Sequence, residues 1–338
     1  MLTPILRREQ TTLKALKGTS FAIDASIEIH QFLALIRKTD GTLFTDSQGR
    51  VTSHLIGLFT RSSRLIADFG MKPVFVFDGR PNPLKRRTIE IRRAAMKKAE
   101  IEYSDAVSKK DYAKAWSKAV MTGRVTGSIL DDAKRLLTLM GIPWLEALED
   151  AEAQASYMAA RGDVWAVGSK DYDCLLYGAP VLARYLTLTG REWLPAQRRS
   201  RPLTPELIRL SENLALLEIS RKQLVDLAIL VGTDFNQGVR GIGPKTALKL
   251  VREYGSIEQM PKEIRSKMAE DLNIVRQIFL KPRVLEKYAL RRSPSDRDGL
   301  VEFLSGERGF NRERVDRLAE RLTRTRENMD AGLGPWLN

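Results

Sequence analysis

Acidic residues recur at the ends of short apolar runs along this chain. The runs are FAID, PVFVFD, VWAVGSKDYD and LAILVGTD, and a further acidic pair follows the apolar segment GIPWL. Seven carboxylates are involved: Asp24, Asp78, Asp150, Glu152, Asp171, Asp173 and Asp234. Because neighbouring carboxylates raise one another's pKa, such a group needs divalent cations to stay ionised. Oxygen ligands without His or Cys indicate Mg²⁺ or Mn²⁺, and carboxylates that bridge two cations can activate a water for attack on a phosphodiester.

The apolar runs predict the elements that position these acids. Runs of this length, rich in β-branched and aromatic residues, are typical of buried strands in a parallel sheet. Ligand sites of such sheets lie outside the carboxyl ends of the strands, so we expect the acids to converge there. The predicted fold class is α/β, with a central, mostly parallel sheet flanked by helices. Each acid taken alone has another interpretation, as a helix N-cap, an Asx-turn or the solvated first turn of a helix.

Composition indicates the kind of partner. Lys and Arg number 56 against 42 for Asp and Glu, which gives a formal net charge of +14 over 338 residues. With seven acids assigned to one pocket, the remaining surface is more basic still, which favours nucleic acid. One cysteine and two histidines exclude an internal disulfide framework and a zinc cluster. Without a membrane-length apolar run or a signal-peptide core, we expect a soluble, cytoplasmic protein with no membrane partner.

Three stretches define the organisation of the chain. Residues 1–20 predict a short basic helix, and residues 82–130 are long, highly charged and typical of helices that project from a core. From 204 to the C-terminus the periodicity is helical almost throughout. Within it, GIGPKTALKL predicts a tight turn that exposes backbone N–H groups at a helix start, with Lys245 and Lys249 on one face. Such a turn binds a DNA phosphate without reading sequence, although it also fits an ordinary helix end and restart.

Several segments in order resemble the flap endonucleases of the structure-specific 5′ nuclease family, most closely the archaeal ones. They include AIDAS, VFVFDGRP, SKDYDCLLYGAPVL and VGTDFNQGVRGIGPKTAL. The resemblance implies one PIN-like nuclease domain over 1–328, with a helical arch at about 82–130 and a helix-two-turn-helix element at about 224–255. It also implies a monomeric enzyme with two Mg²⁺ per site, for which Mn²⁺ substitutes. The implied substrates are 5′-flap, nicked or gapped DNA in replication and repair, cut by endonuclease and 5′–3′ exonuclease activity.

The resemblance also implies roles for particular residues. The seven acids match the family's metal-binding carboxylates. Lys85 and Arg92 match the arch residues that contact the scissile phosphate, and their separation of seven residues places them on one helix face. Arg308 and Arg314 match basic residues of a pocket for a one-nucleotide 3′ flap. For any single Lys or Arg, a solvated helix surface is the alternative.

Two positions depart from the family pattern. Asp150-Ala151-Glu152 replaces the usual Glu-x-Glu, so one ligand is shorter by a methylene and Glu149 is an alternative ligand. His30 replaces a tyrosine that stacks on a substrate base; an imidazole can stack too, or it can lie in the core. Relatives also begin with Met-Gly and several more residues before this start.

The C-terminal residues 329–338 resemble a weakened sliding-clamp-binding tail. Leu333, Trp336 and Leu337 supply apolar anchors at the expected spacing, although such an end can also dock on its own core. Two other classes of protein share part of the pattern. A ribonuclease on the related PIN-type fold would not require the arch or the GIGPK turn. A non-catalytic DNA-binding scaffold would not require seven converging acids.

Overall fold

The computed structural model describes residues 2–187, 191–194, 199–268 and 272–331. The strands in these ranges are β1 (Glu9–Gln10), β2 (Ser20–Asp24), β3 (Lys72–Phe77), β4 (Trp144–Glu146), β5 (Ala166–Gly168), β6 (Val181–Arg184), β7 (Arg191–Leu194), β8 (Arg199–Pro202) and β9 (Glu206–Arg209). The first helices are α1 (Ala25–Leu35), α2 (Ser53–Phe69), α3 (Arg86–Ser108), α4 (Tyr112–Ala119), α5 (Gly127–Leu139), α6 (Ala151–Ala160) and α7 (Asp173–Leu176). The later ones are α8 (Leu210–Leu217), α9 (Arg221–Val231), α10 (Pro244–Tyr254), α11 (Lys262–Arg265), α12 (Leu272–Leu280), α13 (Arg297–Val301) and α14 (Arg312–Ala331).

One mixed sheet organises the described part of the chain. Its strand order is β1-β9-β6-β5-β2-β3-β4, and β7 pairs with β8 in a separate hairpin. The five strands from β6 to β4 run parallel to one another, whereas β9 and β1 add an antiparallel edge. The crossover between parallel neighbours brings the carboxyl ends of β2, β3 and β5 to the same edge of the sheet. The predicted α/β class with a mostly parallel central sheet is confirmed.

Both faces of the sheet are covered. Ala22, Val74 and Val76 point into one apolar core and Phe21 and Phe75 into the other, as the alternation of side chains along a strand requires. Helices α6, α9, α10 and α12 cover the first face, and α1, α2, α5 and α14 cover the second. Burial on both faces explains why these strands are apolar throughout, rather than alternating. Truncating one of the fully buried phenylalanines to alanine is expected to cost about 3–5 kcal/mol of stability.

Helices α3 and α4 occupy most of the stretch predicted to project from the core. Only Ala99 and Ala106 of the 23 residues of α3 are buried, and α3 packs chiefly on α4. A helix with so small an apolar face is held at its ends and by its partner, not by the sheet. This pair therefore stands clear of the two cores while its first turn remains attached next to β3.

Three sequence-based predictions of local structure are wrong. Residues 2–19 contain turns and the short strand β1 in place of a basic helix, because Glu9 and Gln10 pair with β9. Strand β9 itself interrupts the stretch predicted to be helical after residue 204. The run LAILVGTD is not a strand: its apolar part ends helix α9, which Ser220 and Gln223 start with a capping box. Among the described residues, no helix has the length and apolar character needed to cross a bilayer.

Candidate active site

Four of the seven acids lie at the ends of neighbouring parallel strands. Asp24 is the last residue of β2, Asp78 directly follows β3, and Asp171 and Asp173 follow β5. In the sheet β2 lies between β3 and β5, so these side chains emerge side by side. This edge of the sheet is where a parallel α/β fold places its ligands.

The other three acids reach the same place from other elements. Asp150 is the N-cap residue of α6, after β4, and Glu152 lies in the first turn of that helix. Asp234 follows α9 and not a strand. Electrostatic interactions join all seven acids and Lys85 in one network, which we call the acid network: Asp24, Asp78, Lys85, Asp150, Glu152, Asp171, Asp173 and Asp234.

The acid network strongly opposes its own ionisation. Burial raises the pKa of Asp24 well above its ordinary value, and the charges of Asp78 and Asp171 raise it further. The pKa of Glu152 is raised by burial and then by Asp24 and Asp78, and that of Asp173 by burial and then by Asp171. Such a group of carboxylates favours either protons or bound cations.

Backbone N–H groups fix the direction of several of these carboxylates. Asp24 accepts a hydrogen bond from the Ile27 N–H at 2.9 Å and so caps α1. Asp78 accepts one from the Ala151 N–H at 2.9 Å and so caps α6 from a neighbouring strand. The N–H of Asp173 donates to Asp171 Oδ1 at 3.0 Å. The N-cap and turn interpretations of these acids are therefore true as well, and they orient the site.

A close approach of two loops brings Asp78 to α6. The N–H of Gly79 donates to the carbonyl of Glu149 at 2.7 Å. A Cβ at position 79 would lie 2.0 Å from the carbonyl oxygen of Ala147, so only glycine allows this approach. The glycine of the DGR sequence thus positions the acid that precedes it.

Two basic side chains from the start of the projecting helices enter the acid network. Lys85, in the turn before α3, places Nζ 2.7 Å from Asp150 Oδ1, and Arg92 places Nη2 2.8 Å from Asp234 Oδ1. Burial alone would lower the pKa of Lys85, but the carboxylates of Asp150 and Glu152 outweigh it and the pKa is raised. Lys85 is therefore a permanent cation. Lys85 lies in the turn that precedes α3 and Arg92 within α3, and the two side chains contact different acids of the network.

Asp150 and Glu149 point in different directions. Asp150 is buried, and its second oxygen, Oδ2, accepts a hydrogen bond from the Tyr177 hydroxyl at 2.8 Å. Glu149 instead accepts hydrogen bonds from Asn82 at 3.1 Å and Arg283 at 3.0 Å. Asp150 and not Glu149 belongs to the acid network in this structure. Sequence reasoning missed Tyr177, although its position four residues after Asp173 places it on the same side of a short helix.

Three of the residues predicted to bind DNA are exposed. His30 is exposed on α1 and interacts electrostatically with Asp78 and Arg92, so its placement in the core is excluded. Lys245 and Lys249 are exposed on α10, whose N-cap is Gly243 and whose first residue is Pro244. A helix start with exposed N–H groups next to cations suits an anion.

The two arginines matched to the 3′-flap pocket differ. Arg314 is exposed near the start of α14. Arg308 is buried, forms an ion pair with Asp132 at 2.6 Å and covers the ring of Phe303. A phosphate contact at Arg308 would have to compete with Asp132. The tail anchors Leu333, Trp336 and Leu337 lie outside the described residues.

The donor set suits hard divalent cations, because it consists of carboxylate oxygens. Burial, and then the charge of neighbouring acids, raises the pKa values of Asp24, Glu152 and Asp173. As the side chains stand, no group of three or more His, Cys, Asp or Glu residues in the described ranges is placed to hold a metal ion. Lys85 and Arg92 contact two of the acids instead. The residues therefore fit a metal in chemistry and charge, with side-chain adjustment at Asp150 and Asp234.

Comparison with known proteins agrees with this geometry. Residues 1–99 match the XPG N-terminal domain and residues 141–234 the XPG I-region. The chain is 45% identical over 338 residues to flap endonuclease 1 of Methanopyrus kandleri, covering 98% of this chain and 96% of that protein. It is 44% identical over 319 residues to flap endonuclease 1 of Pyrococcus horikoshii, covering 94% and 92%. The chain belongs to the flap endonuclease 1 family. The resemblance inferred from its motifs is confirmed.

Two solved structures support the fold. The flap endonuclease-1 from Methanococcus jannaschii superposes with a TM-score of 0.78 at 38% identity, covering 97% of this chain and 99% of that one. The catalytic core of Rad2 in complex with DNA substrate gives a TM-score of 0.69 at 24% identity, covering 95% and 97%, which supports the fold alone. The chain is thus a nuclease of the flap endonuclease 1 family, whose members are generally metal-dependent.

Proposed function

We propose that the chain is a metal-dependent, structure-specific 5′ nuclease that hydrolyses phosphodiesters where single-stranded DNA meets duplex. Its substrates are 5′ flaps and nicked or gapped duplexes formed in replication and repair. One observation carries the proposal: Lys85 and Arg92, from the base of the projecting helices, reach the same acid network that suits divalent cations. A site with both anionic ligands and entering cations is suited to a phosphate that must be held and then cleaved.

The seven acids would hold two Mg²⁺ ions, for which Mn²⁺ is a substitute. Bound there, the ions would supply an activated water and neutralise charge on the attacking and leaving oxygens. Two basic side chains do not balance seven carboxylates, whereas two divalent cations offset most of the excess. The raised pKa values of Asp24, Glu152 and Asp173 support the need for this positive charge.

Lys85 and Arg92 act on the scissile phosphate. Substrate binding would move them from Asp150 and Asp234 to the non-bridging phosphate oxygens, where their charge matters most as negative charge develops. The acids they release would then be free to act as ligands. Residues 82–130 form the arch under or through which the single strand passes.

The duplex binds at a second site, at the start of α10. The start of α10 offers exposed N–H groups, with Lys245 and Lys249 beside them, to backbone phosphates of one strand. Helix α9, the loop after it and α10 form the helix-two-turn-helix element, at about 224–255. Asp234 lies in that loop, so the duplex contact and the acid network are joined by a short stretch of chain. His30 stacks on a substrate base, and Arg308 with Arg314 binds a one-nucleotide 3′ flap.

The enzyme would act as a monomer on chromosomal DNA inside the cell. Its last residues, 329–338, bind a sliding clamp through Leu333, Trp336 and Leu337. Three apolar anchors in a short tail are enough to dominate a small peptide interface. Contact with a clamp would hold the enzyme at replication junctions without taking part in hydrolysis.

Asp171→Asn tests the site. The substitution removes a carboxylate charge but no basic contact, so we expect no incision of a labelled 5′ flap at saturating Mg²⁺ and unchanged flap binding. Asp131→Asn, at an exposed position of α5, is the matched control and should cleave at the wild-type rate. A wild-type rate in Asp171→Asn would refute the site assignment. Cleavage of single-stranded RNA but not of flaps would favour a ribonuclease, and binding without cleavage by the wild type would favour a scaffold.

A further inference from the structure

We propose that Tyr177 is a positioning residue for Asp150: its hydroxyl holds the Asp150 carboxylate in the orientation in which that acid binds a metal ion. The inference rests on the proposed function, since it takes Asp150 as a metal ligand. In this role Tyr177 is not itself a metal ligand. It acts through the acid that it holds.

The contacts of Asp150 support this role. Its two oxygens are held by different donors, Oδ1 by Lys85 at 2.7 Å and Oδ2 by Tyr177 at 2.8 Å. Asp150 is the N-cap residue of α6 but makes no capping hydrogen bond, because Asp78 caps that helix start. The Asp150 side chain is therefore not oriented by its own helix. Among the described residues, only these two donors are hydrogen-bonded to its carboxylate.

The two donors differ in what happens to them during the reaction. In the proposed function, Lys85 leaves Asp150 and moves to the scissile phosphate. The Tyr177 hydroxyl has no charge to bring to a phosphate and remains. It is the donor that can hold Asp150 while the reaction proceeds.

A row of three aromatic rings supports both donors. The Tyr177 ring lies 5.0 Å from that of Phe279, which lies 5.3 Å from that of Phe235. Lys85 Nζ lies 5.0 Å from the centroid of Phe235 at the other end of the row. Phe279 is fully buried, so the row is fixed by the core. This packing fixes the position of the Tyr177 hydroxyl.

The short side chain of Asp150 explains why this carboxylate needs the Tyr177 hydroxyl. This chain has Asp-Ala-Glu at 150–152 where the family pattern is Glu-x-Glu, so the carboxylate is set back by one carbon–carbon bond, about 1.5 Å. The tyrosine hydroxyl occupies space beside the shorter side chain. Both residues line a cleft of about 330 Å³, and the hydrogen bond between them is itself buried.

Direct metal binding provides the test. Mn²⁺ is titrated into metal-free wild type and Tyr177→Phe, and free Mn²⁺ is followed by electron paramagnetic resonance. Phenylalanine keeps the ring and its packing, so only the hydroxyl is lost. Loss of a group that orients a metal ligand typically weakens binding 10–100-fold, and we expect about tenfold here. The Mg²⁺ concentration for half-maximal single-turnover cleavage should rise by the same factor, with flap binding unchanged.

The matched control is Tyr288→Phe. It removes a tyrosine hydroxyl that donates to Asp163, an acid beyond the other end of α6 and about 15 Å away along the helix axis. This variant should bind Mn²⁺ as the wild type does. Equal weakening in both variants would refute a specific role for Tyr177.

A double-mutant cycle separates positioning from a general structural effect. If Tyr177 acts through Asp150, adding Tyr177→Phe to Asp150→Ala should change Mn²⁺ binding no further. A further tenfold loss in the double variant, or wild-type binding by Tyr177→Phe alone, would overturn the inference. If the wild type itself neither binds Mn²⁺ nor cleaves flaps, the proposed function fails and the inference with it.

Discussion

Glu28 lies on α1, one turn after Asp24, and is a buried acid that the proposed reaction does not use. It accepts a hydrogen bond from the Thr187 hydroxyl. Burial raises its pKa from the ordinary 4.5 to about 7, although the Thr187 hydrogen bond and the charge of Lys170 both lower it. Glu28→Gln would keep a hydrogen-bond acceptor for Thr187 and remove the ionisation. The substitution should therefore stabilise the protein at alkaline pH.

The size of the effect follows from the two pKa values. Below about pH 4.5 the residue is protonated in both the folded and the unfolded chain and contributes nothing. Between pH 4.5 and 7 the unfolded chain loses the proton first, so stability falls as the pH rises. Above pH 7 the full penalty is present, about 3 kcal/mol at about 1.4 kcal/mol per pH unit. Glutamine should remove that penalty.

Urea denaturation of the metal-free protein at pH 4 and pH 8 measures this difference. We expect Glu28→Gln and wild type to be equally stable at pH 4 and the variant to be more stable by up to about 3 kcal/mol at pH 8. Glu263→Gln, at an exposed position of α11, is the control and should show no pH-dependent difference. A Glu28→Gln effect of the same size at both pH values would mean that packing, not ionisation, is responsible, and would refute the reasoning.

Two further predictions concern DNA. Lys85→Ala and Arg92→Ala should each slow single-turnover cleavage far more than they weaken flap binding, whereas Lys245→Ala should weaken binding and lower the slope of log affinity against log salt by about 0.9. If Lys85→Ala instead weakened binding as Lys245→Ala does, Lys85 would contribute only diffuse electrostatic attraction to DNA. Deleting residues 329–338 should leave cleavage of a free flap oligonucleotide unchanged but abolish stimulation by the cognate clamp. A lower melting temperature would instead favour a tail docked on its own core.

The sequence was enough to predict the convergence of those acids that lie at the ends of parallel strands. Asp24 ends the mainly apolar strand β2, Asp78 and Asp171 follow β3 and β5, and parallel strands bring their ends to one edge. Asp234 joins the acid network, but it does not follow the strand that its apolar run predicts. Its apolar run is helical, because a short buried run does not by itself distinguish strand from helix. The Ser220 and Gln223 capping box was the local signal that a helix begins there.

Contacts between distant positions could not be predicted in this way. Arg308 matched a family pocket, but its ion pair with Asp132 joins residues 176 positions apart. The Tyr177 hydrogen bond to Asp150 likewise depends on the packing of α6 against α7, which no periodicity encodes. The short strand β1 was missed for the same reason, since its two residues have a partner only in β9.

Two of the acids at this site also hold helices in place, and this affects how an inactive form of the enzyme should be made. Asp24 caps α1 and Asp78 caps α6. Alanine at either position would remove a cap worth about 1 kcal/mol together with the charge. Asparagine retains an oxygen that can accept from the same N–H, so it removes the charge and leaves the helix start intact. For trapping an uncleaved DNA complex by crystallography or cryo-electron microscopy, Asn at these two positions is the better choice.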